Sequence, residues 1–304
     1  MNVRDTWLEA RRKGIGASDI AAVLGVSPWA TPYQLYLDKR GELPQEDEKP
    51  VLHRGKRFEP VVLQFYEDET GHAVTRQQEH VVGAEPWMLA TLDGFDAVVG
   101  APVEAKTRNE FYRRDEFGEP GTDEVPIYYG AQVYWQMMIT DADAGYLAAM
   151  IGLDDFRIYR FERDPDLESL LVARGREFWT MVENGTPPEP RTGTDVKLMY
   201  RKDSGASIEA SPDVVAACER LRAIKAEAKK LEAEVDGLSM QIKSAMGAAS
   251  VLTGPGGKPK ATWKAAKDSQ KTDWQAIAMA LMAPPELVAE HTKDVPGSRR
   301  FLLK

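Results

Sequence analysis

The chain has 304 residues, of which 43% are hydrophobic and 29% are charged, a composition typical of a protein with a substantial buried core. Its single cysteine, Cys218, excludes a disulfide framework, and its four scattered histidines include no pair at metal-ligand spacing. The longest uncharged run, residues 20–37, contains two prolines, and the first residues are charged throughout. We therefore expect no membrane span, no secretory signal and a cytoplasmic location.

The net charge of −9 is unevenly distributed along the chain. Residues 212–304 hold 15 Lys and Arg against 11 Asp and Glu, whereas residues 1–211 hold 24 against 37. Clustered acids can bind divalent cations, and a bound cation reverses the local electric field. The charge therefore argues against a simple basic coat for nucleic acid, but it is compatible with a metal-dependent enzyme that acts on one.

The first part of the chain shows the mixed pattern of an α/β domain. A helix is predicted around Trp7 and Arg11, followed by a glycine turn and a second helix from Ser18. Another helix is predicted over residues 55–70, with one apolar face. The residues of that face are Phe58, Val62, Phe65 and Tyr66.

Strand patterns replace helical ones between Trp87 and Thr107. The segments WMLATLDGFDAVV and PVEAKT predict strands joined by a Gly-Ala-Pro turn. A buried helix is predicted over residues 127–140, followed by further strands at 145–152 and 156–161. The alternation of helices and strands predicts a mixed sheet flanked by helices.

Two pairs of a capping residue and a proline predict the starts of later helices. Asp164-Pro165 predicts a helix that ends near Gly185, and Ser211-Pro212 predicts a long helix. The proline-rich stretch TPPEPRTGTD between them predicts a connector. The predicted organisation is a core over 1–190, a linker over 191–210, a long helix over 211–249 and a small basic module over 250–304.

Apolar residues recur along the long helix at alternating steps of three and four, interrupted only weakly by Gly237. This spacing is typical of a coiled coil or a helical hairpin. The stripe consists of Val214, Ala217, Leu221, Ile224, Ala228, Leu231, Val235, Leu238 and Ile242. We predict a packing or oligomerisation helix, with an ordinary domain helix as the alternative. Beyond it, lysines around Trp263 and the pair Arg299-Arg300 suit either a DNA backbone or a solvated surface.

Asp93, Glu104 and Lys106 form the most informative group of residues. Side chains alternate along a strand, so Glu104 and Lys106 share one face and Ala105 takes the other. If the preceding strand is the neighbour, Asp93 at its end can meet Glu104. Two carboxylates and the Ala105 carbonyl suit Mg²⁺ or Mn²⁺, and a nearby lysine can activate water or neutralise a phosphate.

The spacing of these residues alone leaves two alternatives open. Taken alone, the spacing of Glu104 and Lys106 favours a solvent-facing ion pair on an ordinary strand, because an acid followed two residues later by lysine is common. Asp96 lies three residues after Asp93 and competes with it as the second carboxylate.

Four groups of motifs occur in a fixed order over roughly residues 7–185. They are WLEAR at 7–11 with GIGASDIAA at 14–22 and SPWATPYQLYLDKRG at 27–41, RGKRFE at 54–59, LDG at 92–94 with EAK at 104–106, and YYGAQV at 128–133. Together they resemble the YqaJ-type viral recombinase family, relatives of bacteriophage lambda exonuclease. The resemblance implies a PD-(D/E)xK restriction-endonuclease-like α/β (α+β) core with a central mixed sheet, extended here by the C-terminal helix.

This resemblance also implies an activity. It indicates a Mg²⁺-dependent deoxyribonuclease, with Mn²⁺ able to substitute, that degrades double-stranded DNA ends 5′→3′ and leaves 5′-phosphomonoesters. The exposed 3′ strand would serve phage recombination or repair with a single-strand annealing protein, in the cytoplasm of a bacterial host, and the enzyme is expected to be a homo-oligomer. The alternatives are a catalytically inactive DNA-binding or assembly module and an endonuclease of the same fold.

Site residues follow from the resemblance position by position. It implies Asp93 and Glu104 as metal ligands, in the site that the Ala105 carbonyl would complete, and Lys106 as the catalytic lysine. Glu59 matches an acid associated with a second metal, with an exposed partner for Lys56 as the alternative. The glutamine packed against the site corresponds to Gln132, and Gln136 is its competitor.

Arg11 and Ser18 match residues that hold the 5′ phosphate of the DNA end, and Arg12 competes with Arg11. The segment from Gly14 to Gly16 before a Ser-capped helix has the form of a phosphate cradle, in which backbone N–H groups and the helix dipole face the anion. An ordinary turn with an N-cap is the alternative.

Overall fold

The computed structural model describes residues 9–44, 50–75, 80–109, 116–282 and 284–292. Trp7 and the pair Arg299-Arg300 lie outside the described residues. The chain divides into two compact units, Met1–Met199 and Tyr200–Lys304. Within the described ranges, no helix is both long enough and apolar enough to cross a membrane.

Strands of the first unit form two sheets. In chain order they are β1 (Val74–Thr75), β2 (His80–Val82), β3 (Leu89–Thr91), β4 (Gly94–Asp96), β5 (Ala101–Arg108), β6 (Ala144–Ile151) and β7 (Asp155–Glu162). The main sheet has the order β1-β4-β5-β6-β7, while β2 and β3 pair separately. Neighbours in the main sheet run antiparallel, except that β5 and β6 run parallel. The predicted mixed sheet is therefore confirmed.

The named helices of the first unit are α1 (Ile20–Leu24), α2 (Pro32–Lys39), α3 (Pro50–Thr70), α4 (Ile127–Thr140), α5 (Pro165–Asn184) and α6 (Gly193–Met199). Of these, α3 and α4 cover opposite faces of the main sheet, whereas α1, α2 and α5 pack against one another or against α4. Alternate residues of β6 face opposite ways: Leu147 packs with Val133 of α4, whereas Ala148 packs with Val62 and Leu63 of α3. Because both faces of β6 are covered, its sequence is apolar almost throughout.

Several predicted elements occur where the sequence places them. The helix α4 has the predicted bounds, and it provides the crossover that the parallel pair β5–β6 requires. The side chain of Asp164 caps α5 by accepting from Asp166 N and Leu167 N, and Gly185 ends that helix with a φ of 70°. The hairpin β4–β5 brings the LDG and EAK motifs together in the register Gly94↔Val103.

The single strand predicted for WMLATLDGFDAVV is instead two short strands in different sheets. Residues 89–91 pair with β2, whereas residues 94–96 pair with β1 and β5. The prediction was wrong because alternation within one segment carries no information about its pairing partners. Asp93 lies at the change between the two sheets.

The predicted helical face of residues 55–70 was also partly wrong. The helix α3 begins earlier, at Pro50. Val62 and Tyr66 are buried as predicted, but Leu63 joins them in the core, whereas Phe58 and Phe65 are each 41% exposed. The face that meets β5 is therefore turned by one residue from the predicted one.

The first unit extends into the predicted linker through α6. Asp195 is fully buried and accepts hydrogen bonds from the Thr31 hydroxyl (2.9 Å) and from Gln34 Nε2 (2.8 Å). Its other oxygen accepts from the backbone N–H groups of Arg191 and Thr192. These bonds tie the proline-rich segment to α2, and the compact unit extends to Met199.

The second unit is built on the long helix α7 (Pro212–Met246), which begins at the predicted proline. It continues with the antiparallel strands β8 (Val251–Thr253) and β9 (Pro259–Thr262), and with the short helices α8 (Trp274–Ala280) and α9 (Pro285–Glu290). Leu231 and Val235 of the heptad stripe are 56% and 60% exposed. The packing or oligomerisation role of α7 stays a prediction.

Candidate active site

Asp93 and Ala105 are joined across the β4–β5 hairpin. The pairing of the two strands ends at Gly94↔Val103, and beyond that point Asp93 Oδ2 accepts a hydrogen bond from Ala105 N at 2.9 Å. The Asp93 carboxylate therefore accepts the hydrogen bond from β5 at the point where the backbone of β4 no longer pairs with it. Since the N–H and C=O of one strand residue point to the same side, the Ala105 carbonyl also faces this edge.

Glu104 lies beside this edge with 1% of its surface exposed. Its Oε1 accepts from Gln132 Nε2 at 2.6 Å and contacts Lys106 Nζ, and its Oε2 accepts from Gln136 Nε2 at 2.5 Å. A solvent-facing ion pair is therefore wrong for Glu104. The ion pair with Lys106 exists, but it is built around a buried carboxylate fixed by three donors.

Gln132 and Gln136 both contribute to this arrangement, although the sequence offered them as alternatives. They lie four residues apart on α4, so their side chains project from the same face of the helix. Gln136 is fully buried, and its Oε1 has no hydrogen-bond partner among the described residues. The two amides therefore donate one hydrogen bond to each oxygen of Glu104, and Gln136 Oε1 remains as an acceptor beside the site.

Electrostatics in the group are dominated by burial and by like charges. Burial raises the pKa of the Asp93 carboxyl well above its usual range, and the nearby Glu104 charge raises it further. Burial on its own would lower the pKa of Lys106, but Glu104 and Asp93 outweigh it and raise that pKa. Lys106 is therefore a cation at neutral pH.

Glu59 also acts on this group through its charge. Its charge is among the causes that raise the pKa of Asp93. In the part of the chain that the structure describes, no three Asp, Glu, His or Cys side chains lie close enough together to hold a metal ion. Among the carboxylates, Glu104 has the larger effect on Asp93, and the role of Glu59 at a second metal stays a prediction.

Asp96, the alternative to Asp93 as the second carboxylate of the site, makes its hydrogen bonds elsewhere. It is fully buried, and its Oδ2 accepts from the Tyr66 hydroxyl at 3.0 Å and contacts His72 Nδ1 at 2.8 Å. Its Oδ1 accepts from Val98 N and Val99 N in the hairpin turn. These bonds fasten the turn to α3, so of the two aspartates it is Asp93 that lies beside Ala105.

Backbone pairing fixes the glycine segment of the first motif. Ile15 N donates to Trp87 O at 2.7 Å, and Leu89 N donates to Ile15 O at 2.9 Å. A side chain at Gly14 would lie 2.4 Å from Trp87 O, which explains the glycine at this position. The motif is thereby attached to the start of β3, the strand that leads to Asp93.

The helix predicted from Ser18 begins at Ile20 instead, with Asp19 at its N-cap. The Asp19 carboxylate turns back and accepts from Gly16 N at 3.0 Å, so that backbone group is not available to an anion. A Ser-capped phosphate cradle is therefore wrong in its details, because the aspartate supplies an intramolecular acceptor. The exposed Ser18 hydroxyl accepts from Arg11 Nη2 at 3.4 Å.

Asp19 and Lys39 complete a buried charge cluster that sequence reasoning missed. Asp19 Oδ1 lies 2.6 Å from Arg11 Nη2, and Asp19 Oδ2 lies 2.6 Å from Lys39 Nζ. Burial would raise the pKa of Asp19, but Arg11 and Lys39 outweigh it and hold that pKa well below its usual range. Asp19 therefore orients Arg11 beside Ser18, whereas Arg12 packs against Gly41.

The comparisons with known proteins decide the family. The profile of the YqaJ-like viral recombinase domain matches residues 6–143. The uncharacterized protein YqaJ of Bacillus subtilis (strain 168) is 31% identical over 253 residues, which cover 80% of this chain and 78% of that relative. The chain belongs to the YqaJ-like viral recombinase family.

Solved structures with similarity to this YqaJ-family chain include an alkaline exonuclease from Laribacter hongkongensis. It is 19% identical with a TM-score of 0.48, and the match covers 60% of this chain and 94% of that one. A phage-related exonuclease from Haemophilus somnus 129PT is 13% identical with a TM-score of 0.45, covering 56% of this chain and 94% of that one.

The matched part of the YqaJ-like domain contains every residue of the two groups described above. The carboxylate group with its glutamines and the charge cluster around Asp19 all lie within residues 6–143. The long helix α7 and the strands β8 and β9 lie beyond that range. The candidate chemistry therefore belongs to the family domain and not to the C-terminal unit.

Proposed function

We propose that this YqaJ-family protein is a metal-dependent deoxyribonuclease that degrades double-stranded DNA from its ends in the 5′→3′ direction. The observation that carries the proposal is the buried Glu104 carboxylate, held by two glutamines and Lys106 at the strand edge where Asp93 meets Ala105. A buried carboxylate held by three donors is unlike an ordinary surface acid, and such a group is a candidate for a functional role.

The residues at this edge fit a divalent cation. Two carboxylates and the Ala105 carbonyl are oxygen ligands, which Mg²⁺ and Mn²⁺ prefer, and the like charges of Asp93 and Glu104 favour a bound cation. When bound, Mg²⁺ would supply a water of lowered pKa and would neutralise charge on the phosphate. Asp93, Glu104 and Ala105 are the proposed ligands.

The other side chains have distinct proposed roles. Lys106, a cation beside Glu104, neutralises negative charge that develops on the phosphate as the bond breaks. Gln132 and Gln136 hold the Glu104 carboxylate in one orientation. Arg11 and Ser18 bind the 5′ phosphate of the DNA end, with the guanidinium positioned by Asp19.

The simplest test of this proposal compares linear duplex DNA with a covalently closed circle. We expect digestion of the linear duplex with Mg²⁺, no digestion with EDTA, and an intact circle in both. Cutting of the circle would indicate an endonuclease of the same fold. Binding of DNA without digestion of either substrate would indicate a catalytically inactive DNA-binding or assembly module.

We further propose the biological setting that the family suggests. Digestion that leaves 5′-phosphomonoesters would expose a 3′ single strand for an annealing protein in phage recombination or repair. The protein would act as a homo-oligomer in the cytoplasm of a bacterial host. The exposed heptad stripe of α7 supports self-association.

Replacing Arg11 with alanine is expected to reduce the preference for 5′-phosphorylated ends by about tenfold or more, the usual effect of a charge-assisted hydrogen bond. The measurement compares initial rates on duplexes with phosphorylated and unphosphorylated 5′ ends. Arg12→Ala is the matched control and should keep the wild-type ratio. Equal ratios in Arg11→Ala and the wild type would contradict the assignment.

Replacing Gln136 with leucine is expected to lower activity about 10–100-fold, the range seen for residues that orient a metal ligand. Leucine fills similar space, but it leaves Glu104 Oε2 without its donor, so the free energy of unfolding should fall by about 1–3 kcal/mol. Rates are therefore compared under conditions in which both proteins are folded. The change should appear as a higher Mg²⁺ concentration for half-maximal rate.

The matched control for this change is Gln64→Leu, at an exposed glutamine of α3. It should alter neither the rate nor the Mg²⁺ dependence. A purely structural role for Gln136 would lower stability but leave the rate of the folded protein and its Mg²⁺ dependence unchanged.

A further inference from the structure

Trp29 is 62% exposed, although it packs against two buried tyrosine rings. Its indole meets Tyr128 edge to face, with the ring centroids 4.8 Å apart, and lies 6.1 Å from Tyr129. The two tyrosines are themselves 4.6 Å apart and buried. The cluster thus presents one large aromatic surface to solvent on a rigid base.

The loop that carries Trp29 is fastened at both ends. Ser27 Oγ accepts from Trp29 N at 3.2 Å and from Ala30 N at 3.3 Å. The Thr31 side chain caps α2 by accepting from Gln34 N and donates to the buried Asp195. The exposed indole is therefore held in a defined position, which is an arrangement suited to binding.

Tyr129 connects this aromatic surface to the candidate active site. Lys106 Nζ lies 5.5 Å from the centre of the Tyr129 ring, and the guanidinium carbon of Arg108 lies 5.9 Å from it. Arg108 also donates to the Tyr128 hydroxyl at 3.2 Å, and its buried Nε has no hydrogen-bond partner among the described residues. The Tyr129 ring is therefore a common neighbour of Lys106, Arg108 and the exposed indole.

We propose that Trp29, Tyr128 and Arg108 form a nucleotide-stacking platform, on which a base of the terminal DNA pair stacks against Trp29 while its strand passes Arg108 and Lys106. This inference rests on the proposed nuclease function and adds a second element of end recognition, separate from the phosphate contacts of Arg11.

The chemistry of the platform favours a nucleotide. Every nucleobase presents a flat π surface that stacks on an aromatic side chain, whereas the phosphate attached to it needs a cation such as arginine. Stacking is tolerant of sequence, as an enzyme that digests an arbitrary DNA end requires. A base held on Trp29 would also be separated from its pairing partner before its phosphate reaches Lys106.

Fluorescence of 2-aminopurine tests the platform without requiring cleavage, because this base is quenched when it stacks. Duplexes carry 2-aminopurine at the 5′-terminal, the 3′-terminal or a central position, and binding is measured in EDTA. A dye at the far end reports binding separately through its anisotropy. We compare the wild type with Trp29→Ala, Trp29→Phe and, as a control, Leu170→Ala, which truncates an exposed side chain on α5.

The platform predicts quenching at a terminal position in the wild type, in Trp29→Phe and in Leu170→Ala. Trp29→Ala should lose this quenching and bind about tenfold more weakly. Binding with wild-type quenching in Trp29→Ala, or binding of the wild type with no terminal quenching, would overturn the platform alone. Failure of the wild type to bind any duplex would overturn the proposed nuclease together with it.

Discussion

Replacing Lys106 with alanine is expected to lower the rate of DNA cleavage by at least about 100-fold, because removing a fixed donor for developing negative charge typically has that effect. Lys106 Nζ contacts the buried Glu104 and is a cation at neutral pH, so it brings a positive charge to the site. DNA binding should persist, since Arg11 and Ser18 belong to the separate cluster around Asp19.

Loss of folding must be separated from loss of catalysis in this experiment, because the change removes one of the three donors to Glu104. Lys106→Gln retains a donor without the charge and should be as inactive as Lys106→Ala. The matched control Lys197→Ala removes an exposed lysine of α6 and should keep the wild-type rate. A folded Lys106→Ala variant with more than a tenth of wild-type activity would exclude the proposed role.

Replacing Asp19 with alanine is expected to reduce the free energy of unfolding by about 3–5 kcal/mol, the usual cost of leaving a buried charge without its partner. The Lys39 side chain is fully buried and, among the described residues, would keep the Arg11 carbonyl as its one remaining acceptor. The measurement is the shift of the urea unfolding curve. Glu177→Ala, which breaks the exposed Arg174–Glu177 pair, should change stability by less than about 1 kcal/mol.

The same carboxylate predicts a dependence of stability on pH. Its pKa is lower in the folded than in the unfolded chain, because Arg11 and Lys39 outweigh the effect of burial. Such a group contributes its full stability above the unfolded pKa, and the contribution is lost as the pH falls through the folded one. The stability difference between the wild type and Asp19→Asn should therefore be complete at neutral pH and shrink below about pH 4.

A double variant distinguishes a charge effect from simple loss of packing. If Asp19→Ala is costly because Lys39 is left unpaired, then adding Lys39→Met should recover part of the lost stability. Equal losses in the single and double variants would contradict this explanation, and the cost would then lie in the Asp19 contact with Gly16 N.

Local signals in the sequence predicted the elements whose ends are set by single residues. The helix α5 is one case, because Asp164, Pro165 and Gly185 act within one turn of its ends. The helix α7 begins at Pro212 because proline suits the first helical position, although the Ser211 side chain makes no capping hydrogen bond. The buried helix α4 was predicted at its observed bounds because its apolar run has no competing break.

Pairings between distant segments were beyond the reach of these signals. The strand at residues 87–99 divides between two sheets, because β3 finds its partner in β2 and β4 finds partners in β1 and β5. Phe58 and Phe65 were expected in the core, but the face of α3 that meets β5 is set by the sheet and not by the helix. No helical periodicity contains that information.

The candidate site shows the same division. Glu104 and Lys106 share a face because strands alternate, which the sequence alone dictates. The sequence offered Gln132 and Gln136 as alternatives, whereas both donate to Glu104. Their four-residue spacing places both on one face of the helix, but it does not reveal that Glu104 lies against that face. Asp19 could have been found from the sequence, because it is an acid in the same motif group as Arg11 and could therefore pair with it.

Lys39 was missed for a different reason. A lysine in the last turn of a helix is ordinarily a solvated residue that interacts favourably with the helix dipole. Here its ammonium group is buried against Asp19, 20 residues earlier in the chain. Only the packing of α2 against α1 brings the two together, so the pair depends on tertiary structure.

The most direct test of the account is digestion of a linear duplex that carries a 5′ label on one strand and a 3′ label on the other. It is run with Mg²⁺, with EDTA, and with the Glu104→Ala and Lys106→Ala variants. We predict early release of the 5′ label by the wild type with Mg²⁺, and no release with EDTA or with either variant. Early release of the 3′ label would contradict the proposed direction, and no digestion under any condition would contradict a nuclease altogether.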